Sequence, residues 1–251
     1  MELEGESVHI PEGLVAAVRD ARSIAVLTGS GVSAESGVPT FREAQTGLWA
    51  RFDPQELATP EAFLRDPRLV WEWYAWRREL VDAAAPNPGH EALAELERSV
   101  SQFVLITQNV DGLHRRAGSQ NVVELHGNIR RSRCSREGDV VEPRSDDADV
   151  PPSCPRCGAS LRPDVVWFGE SLAPDALSEA FDAARSCDLF ISAGTSGLVQ
   201  PAATLPFEAL NAGAVVVEIN PSNTPLTRHV DHSLGGKAGA VLPALVKTAY
   251  G

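Results

Sequence analysis

Two kinds of apolar pattern alternate along the chain. From Glu12 to Arg22, Leu14, Val15, Val18 and Ala21 recur at helical spacing, which predicts an amphipathic helix. Directly after it, Ser23-Ile24-Ala25-Val26-Leu27 is a continuous apolar run of strand length that ends in Thr28-Gly29-Ser30-Gly31. Val32 to Ser36 then reads as the start of a second helix. Strand, glycine turn and helix in that order open a nucleotide-binding α/β unit. Phe103–Thr107, Asp188–Ala193 and Ala214–Ile219 are further strand-like runs, and the second of these ends in Gly194-Thr195-Ser196. Strands without polar alternation, separated by helices, predict a parallel sheet covered on both faces.

Two stretches interrupt this pattern. Residues 42–88 carry no strand signal and hold four of the 5 tryptophans, which suggests a helical insert. Residues 130–162 are polar, rich in Pro, Asp and Arg, and contain three of the 4 cysteines. That composition cannot build a core alone, so a metal or docking onto the rest must hold it.

A length of 251 residues suits one large domain or one domain with a small insert, and 43% apolar residues excludes wholesale disorder. The net charge of −12 argues against a binder held by nucleic-acid phosphates. Apolar runs such as Ala214–Val217 fall far below the roughly 18 residues of a spanning helix, so no membrane partner is expected. The acidic opening Met1-Glu2-Leu3-Glu4-Gly5-Glu6 resembles neither a secretory signal nor a transit peptide. With few cysteines as well, a reducing cytoplasmic setting is the expectation.

Gly29-x-Gly31-x-x-Ala34 fits the dinucleotide turn. In that reading Gly29 makes the tight turn, Gly31 lets backbone N–H groups approach a pyrophosphate, and Ala34 keeps the helix close to the sheet. An ordinary dehydrogenase also needs an acid at the tip of a second strand. Asp53 lies at the right distance but follows no strand, which counts against hydride transfer.

Six segments carry a resemblance. Gly29-Ser30-Gly31-Val32-Ser33-Ala34-Glu35-Ser36-Gly37-Val38-Pro39-Thr40-Phe41-Arg42 resembles the first signature of the sirtuins, the NAD-dependent protein-lysine deacylases. Thr107-Gln108-Asn109-Val110-Asp111-Gly112-Leu113-His114, Glu124-Leu125-His126-Gly127 and Asp164-Val165-Val166-Trp167-Phe168-Gly169-Glu170 resemble the next three. Gly194-Thr195-Ser196 and Ile219-Asn220-Pro221-Ser222 complete the set, in family order. The resemblance implies an α/β fold: a Rossmann-type NAD-binding domain (1–41, 89–129 and 163–251), and a small domain made of the helical insert 42–88 and a zinc-ribbon-like insert 130–162. It also implies the reaction. The acyl oxygen of an acylated lysine in a protein or peptide attacks the ribose carbon of NAD as nicotinamide leaves, giving free lysine and O-acyl-ADP-ribose.

Site residues follow from the same resemblance. Asn109 and Asp111 match positions that bind nicotinamide and ribose, with Gln108 beside them, although Asn-x-Asp-Gly is also good turn chemistry. His126 matches the general base, a role suited to an imidazole that titrates near neutral pH. Ser30, Ser33, Arg42, Thr195, Ser196, Asn220 and Ser222 match contacts to the phosphates, the nicotinamide side or the adenosine ribose, and small polar residues also serve turns. Phe41 and Trp49 join the cofactor set, and Ala238 matches an adenine-contacting loop. Val166, Trp167 and Phe168 are expected to line the lysine channel, with core packing the competing role for Trp167.

Tyr74 and Arg77, at i and i+3 of a helix, project from one face. A phenol donor and a guanidinium make a carboxylate receptor. This Tyr-x-x-Arg resembles the class III sirtuins, which remove succinyl, malonyl and glutaryl groups, and Ala58 matches a small residue that leaves room in their pocket. Arg77 and its neighbour Arg78 are equally legible as surface charges on an amphipathic helix. The loop Glu43–Gly47 is about one residue longer than that branch leads one to expect.

Sirtuins generally carry a structural zinc on two C-x-x-C pairs. Cys154-Pro155-Arg156-Cys157 is intact, whereas Cys134 is followed by Glu137 where a cysteine is expected. Three readings stay open: zinc on Cys134, Cys154, Cys157 and Glu137; zinc on three cysteines and water; or a loop without metal. The leading function is a desuccinylase or demalonylase with weaker deacetylase activity. An ADP-ribosyltransferase, or a binding module for NAD or ADP-ribose, is the alternative.

Overall fold

A computed structural model describes residues 8–39, 53–143 and 149–251. Helix α1 (Glu12–Asp20) buries Leu14 and Val18, one turn apart. Strand β1 (Ser23–Thr28) follows and is buried from Ile24 onward. Then come α2 (Ser30–Ala34), α3 (Pro54–Leu57), α4 (Pro60–Arg65), α5 (Pro67–Ala83), α6 (Pro88–Ser99) and β2 (Gln102–Thr107). The chain continues through α7 (Leu113–Arg116), β3 (Val122–Glu124), β4 (Gly127–Cys134), β5 (Leu161–Val165), α8 (Pro174–Ser186) and β6 (Leu189–Ala193). It ends with α9 (Leu205–Ala212), β7 (Val215–Asn220), β8 (His232–Gly235) and α10 (Ala238–Tyr250). Helices α3 to α6 each open on proline, whose missing N–H has no intrahelical partner at that position. Asp53, Thr59, Asp66 and Asn87 cap them with side-chain acceptors.

Six strands form one sheet in the order β3-β2-β1-β6-β7-β8, every pair parallel. Strands β4 and β5 stand apart as an antiparallel pair. With that pair set aside, the sheet has the 3-2-1-4-5-6 order of dinucleotide-binding domains. The order reverses between β1 and β6, and ligands of such sheets bind in the crevice at that reversal. Thr28 is level with Thr107 on one side and Ala193 on the other, so three strand ends meet there.

The side chains divide by the period of two that a strand imposes. Val26, Leu105, Ile191 and Val217 pack under α1, α6 and α10 through Leu14, Leu93, Leu96, Val241 and Leu245. Ala25, Leu27, Ile106, Phe190 and Val216 pack under α8 and α9 through Ala180, Ala184, Leu205 and Ala209. A third core joins α3, α4 and α5 to the β4–β5 pair: Leu57, Phe63, Val70, Trp73 and Tyr74 meet Ile129, Val165 and Trp167. Trp71 of α5 packs with Cys134, Cys154 and Leu161. The polar stretch 130–162 is therefore docked onto the helical insert through a tryptophan, one of the two supports its composition demands.

Candidate active site

The turns after β1 and β6 interlock backbone to backbone. A Cβ on Gly31 would lie 2.8 Å from the Gly194 oxygen, and one on Gly194 would lie 2.6 Å from the Val32 nitrogen. Gly194 also has φ +61°, a left-handed conformation that favours glycine. Gly31 N–H donates to Gly194 O at 3.0 Å, and Gly29 N–H donates to Ala193 O at 3.1 Å. The N–H of Gly31 is thus committed to the neighbouring strand end, and the glycines permit that approach. Ala34 is exposed, while Val32 and Ser33 are buried. The contact of α2 with the sheet thus rests on those two residues and not on Ala34.

Ser33 organises the next layer. Asn109 Nδ2 donates to Ser33 Oγ and to Gly29 O, both at 3.0 Å. The Ser33 hydroxyl also lies near enough to the Asp111 carboxylate to favour its charged form. Asp111 also caps α7, accepting from Leu113 N–H at 2.8 Å, and Gly112 sits at φ +70°. The Asn-x-Asp-Gly turn is therefore formed, and it places an amide and a carboxylate side by side at the switch point. Burial pushes the Asp111 carboxyl above the usual carboxylate range, against the hydrogen bond from Leu113 and the nearby Ser33 hydroxyl.

Behind this pair lies a polar network that the sequence reading missed. Thr28 Oγ1 donates to Thr107 Oγ1 at 2.9 Å and lies 2.9 Å from His114 Nε2. His90 Nε2 is 3.4 Å from Ser33 Oγ, and the His90 and His114 rings are 4.7 Å apart. Burial holds His90 at about 4 and His114 well below its ordinary value, the latter helped by His90. Both imidazoles are neutral at pH 7. The signal for His90 was present: Asn87-Pro88-Gly89-His90 forms a capping box with proline at the first helical position.

His126 sits on the link between β3 and β4, half-buried. Its Nδ1 lies 2.9 Å from the Gln108 carbonyl, which can only accept. Nδ1 therefore carries the proton and Nε2 the lone pair, the tautomer a general base needs. Burial lowers its pKa, against the Gln108 bond, so the ring is neutral at physiological pH.

On the other side of the crevice Asn220 Nδ2 donates to Thr195 O at 2.6 Å. Thr195 is buried, Ser196 half-buried, and Ser222 and Ser30 exposed. Ala238 opens α10 and is buried against the start of α6. Phe41, Arg42, Trp49 and the loop 43–47 lie outside the described residues.

Tyr74 is fully buried beside Trp73, and its hydroxyl accepts from Trp167 Nε1 at 3.0 Å. Burial pushes the phenol up to about 12, so it stays a proton donor. Arg77, half-buried on the same face, lies with its Cζ 5.1 Å from the centre of the Trp73 ring. Its pKa is lowered by burial and raised by the Tyr74 phenol. Ala58 is buried in the same core, and its carbonyl accepts from Phe168 N–H at 3.0 Å. Trp167 is a correction. It is 2% exposed, stacked under the Arg162 guanidinium at 3.4 Å and tilted against Phe63 at 5.4 Å. Core packing claims that ring, because its N–H finds Tyr74 and its face finds Arg162. Half-buried Val166 and exposed Phe168 remain from the expected channel wall.

Cys134, Glu137, Cys154 and Cys157 converge. Their ligand atoms lie within 4.8 Å of one another, with Cys134 Sγ 3.4 Å from Cys157 Sγ. Each half is the same knuckle: Gly138 N–H donates to Cys134 O, Gly158 N–H donates to Cys154 O, and both glycines have positive φ. Tetrahedral zinc places its sulfur and oxygen ligands about 3.3–3.8 Å apart, which this cluster can accommodate. The Glu137 carboxylate is held 3.1 Å from Arg156.

A family model described as Sir2 family matches residues 29–201. The chain belongs to the Sir2 family. It is 54% identical to an NAD-dependent protein deacylase of Aquifex aeolicus, over 88% of this chain and 92% of that one. It is 52% identical to NAD-dependent protein deacylase 1 of Archaeoglobus fulgidus, over 94% and 96%. Among solved structures it is similar to a Sir2 homologue–NAD complex at 50% identity and a TM-score of 0.89, covering 98% and 96% of the two chains. It also resembles a Sir2–p53 peptide–NAD+ complex at 30% identity and 0.84, covering 95% and 98%.

In this sirtuin, then, most of the described residues expected to bind the cofactor lie where the strand order reverses or on the loops that follow its strands. Tyr74, Arg77 and Ala58 gather on the insert helices, and the cysteine knuckles lie beyond them. One further group went unread: Arg162 forms a two-pronged ion pair with Glu170, at 2.6 and 2.8 Å. Glu170 also accepts from Trp167 N–H at 2.8 Å, which fixes the segment that carries Val166 and Phe168.

Proposed function

We propose that this chain removes acyl groups from protein lysines at the expense of NAD, and that it favours acyl groups ending in a carboxylate. The observation that carries the deacylase reading is the pairing of His126, held in its basic tautomer by Gln108, with the Ser33–Asn109–Asp111 cluster at the switch point. NAD supplies the ribose carbon that takes the acyl oxygen as nicotinamide departs. The donor set fits that substrate. Asn109 spends both amide N–H groups on Gly29 and Ser33, which leaves its oxygen as an acceptor for the nicotinamide carboxamide. Asp111 places negative charge beside the sugar, where positive charge develops as the glycosidic bond breaks. His126 Nε2 removes a ribose hydroxyl proton so that the oxygen can attack the acyl carbon; the carbon–nitrogen bond to lysine then breaks, the amine leaves with a proton, and a solvent water adds to the acyl carbon to give O-acyl-ADP-ribose. Thr195, Ser196, Asn220 and Ser222 hold the phosphates and the adenosine ribose.

The acyl preference rests on Tyr74 and Arg77. A charged guanidinium and a phenol that keeps its proton are a matched pair of donors for the terminal carboxylate of succinyl- or malonyl-lysine. The cysteine–glutamate cluster would hold a structural zinc that ties the two knuckles together. None of its four ligands is assigned a step in the chemistry, so the metal's role would be structural.

One peptide offered as acetyl-lysine and as succinyl-lysine, with and without NAD, tests the proposal by mass spectrometry. NAD-dependent loss of succinyl well ahead of acetyl is the expected result. Preferential acetyl loss removes the carboxylate receptor and keeps the deacylase. No loss from either peptide, with NAD consumed, points to ADP-ribosyl transfer.

A further inference from the structure

Glu218 is a carboxylate in the wrong place for an ordinary core strand. In β7, Val217 and Ile219 face the α1–α6–α10 side, whereas Val216 faces α8 and α9. The period of two puts Glu218 on the face of Val216. It is 2% exposed, and its register partners are Ser192 on β6 and Ser233 on β8, both small. Among the described residues no ion pair reaches it. A carboxylate buried without a cation is costly unless its oxygens accept hydrogen bonds.

Both oxygens do. Thr224 Oγ1 donates to one, and Thr227 Oγ1 donates to the other at 2.5 Å. Each hydroxyl then accepts a backbone N–H of its own loop, Leu226 N–H to Thr224 Oγ1 at 3.1 Å and Thr224 N–H to Thr227 Oγ1 at 2.8 Å. One carboxylate therefore sets the path of residues 221–227. That loop begins at Asn220, which is tied to Thr195, and carries Ser222. It also backs the turn after β6: a Cβ on Gly197 would lie 3.7 Å from Thr224 Oγ1.

We infer that Glu218, through Thr224 and Thr227, is a positioning residue for the adenosine half of NAD, fixing the spacing between Asn220–Ser222 and Thr195–Ser196. The inference rests on the NAD-dependent reading above. It predicts a separable effect, because His126, Asn109 and the acyl receptor lie on other elements.

The test measures ADP-ribose binding by titration calorimetry, alongside KM for NAD and for the acyl peptide. Glu218→Gln keeps the shape but leaves one acceptor oxygen for two hydroxyls. It is expected to weaken ADP-ribose binding and raise the NAD KM by about tenfold, with the peptide KM within about twofold of wild type. The pair Thr224→Ala/Thr227→Ala should do the same, and Thr224→Ser/Thr227→Ser should restore wild-type values. Should Glu218→Gln fail to fold, the alanine and serine pairs carry the test. A lowered melting temperature with unchanged ADP-ribose affinity makes Glu218 merely structural and overturns the inference. Equal rises in both KM values overturn it too. A wild-type protein that binds no ADP-ribose overturns the NAD reading and the inference together. Tight wild-type binding with equally tight binding by the variants overturns the inference alone.

Discussion

The Trp167 indole spends its N–H on the Tyr74 hydroxyl, at 3.0 Å. A hydroxyl that accepts one bond is polarised toward donating its own proton, and low-dielectric surroundings strengthen the effect. Tyr74 and Arg77 should therefore act as a unit on a terminal carboxylate. Arg77→Met and Tyr74→Phe are each expected to lower kcat/KM for succinyl-lysine by about 10- to 150-fold, the equivalent of one charge-assisted hydrogen bond, while sparing acetyl-lysine. An Arg77→Met enzyme that still prefers succinyl-lysine would remove the receptor.

On the proposed mechanism the imidazole moves a proton and the Ser33–Asn109–Asp111 cluster does the holding, so His126→Ala should abolish turnover and leave NAD binding intact. The pH profile carries a second expectation. Burial lowers the His126 pKa below its ordinary 6.5, so the base is lost only in more acid solution. The acid limb of the kcat/KM profile, which reports the free enzyme, should fall below pH 6.5. A limb above that value would assign the titration to another group.

The buried pair His90 and His114 makes stability depend on pH. Both folded pKa values lie below the ordinary 6.5, with His90 at about 4, so the unfolded chain binds more protons between those values. Stability is therefore full above pH 6.5 and declines as pH falls toward about 4. Urea midpoints between pH 7.5 and 4.5 should trace that decline, and His114→Gln should make it shallower. A profile as steep in the variant as in the wild type would clear His114 of the effect.

Metal analysis of the purified protein should find about one zinc per chain, bound less tightly than by four thiolates. Glu137→Cys should slow zinc loss to a chelator, and Cys157→Ser should release the metal and lower the melting temperature. Protein that is folded and free of zinc would favour the reading without metal.

The main sheet was legible because its central strands are long and apolar: β1, β2, β6 and β7 all fall within a residue or so of the runs that mark them. The unread strands have physical reasons to be quiet. β3 is three residues long, β8 is an edge strand of His232-Ser233-Leu234-Gly235, and β4 is mostly polar, with Arg131 and Arg133 paired to Glu124 and Asp164. Motif residues such as His126 were legible through their neighbours, and the tautomer that suits this histidine to the role of a base was not, since it depends on a carbonyl 18 residues away. Trp167 was ambiguous for the reason aromatics usually are: the same ring suits a channel or a core, and only the partner of its N–H decides. Glu218 was silent because a polar residue on a sheet face carries no periodic signal, and the capping box that marks His90 says nothing of its burial against His114.

The hairpin of β4 and β5 has a consequence for what the enzyme can be taught to accept. Gly127 faces Val165 in register, a side chain at Gly127 would come within 2.2 Å of the Asp164 oxygen, and Val166 N–H closes on His126 O at 2.9 Å. His126 and the segment expected to seat the substrate backbone are thus pinned together by main-chain atoms, as the two ends of a ruler. Side-chain substitutions cannot slide that zero mark. On the proposed reading, redesign for longer or differently charged acyl groups has to happen at the far end, on α5, and first at Arg77, because Tyr74 also holds the Trp167 N–H.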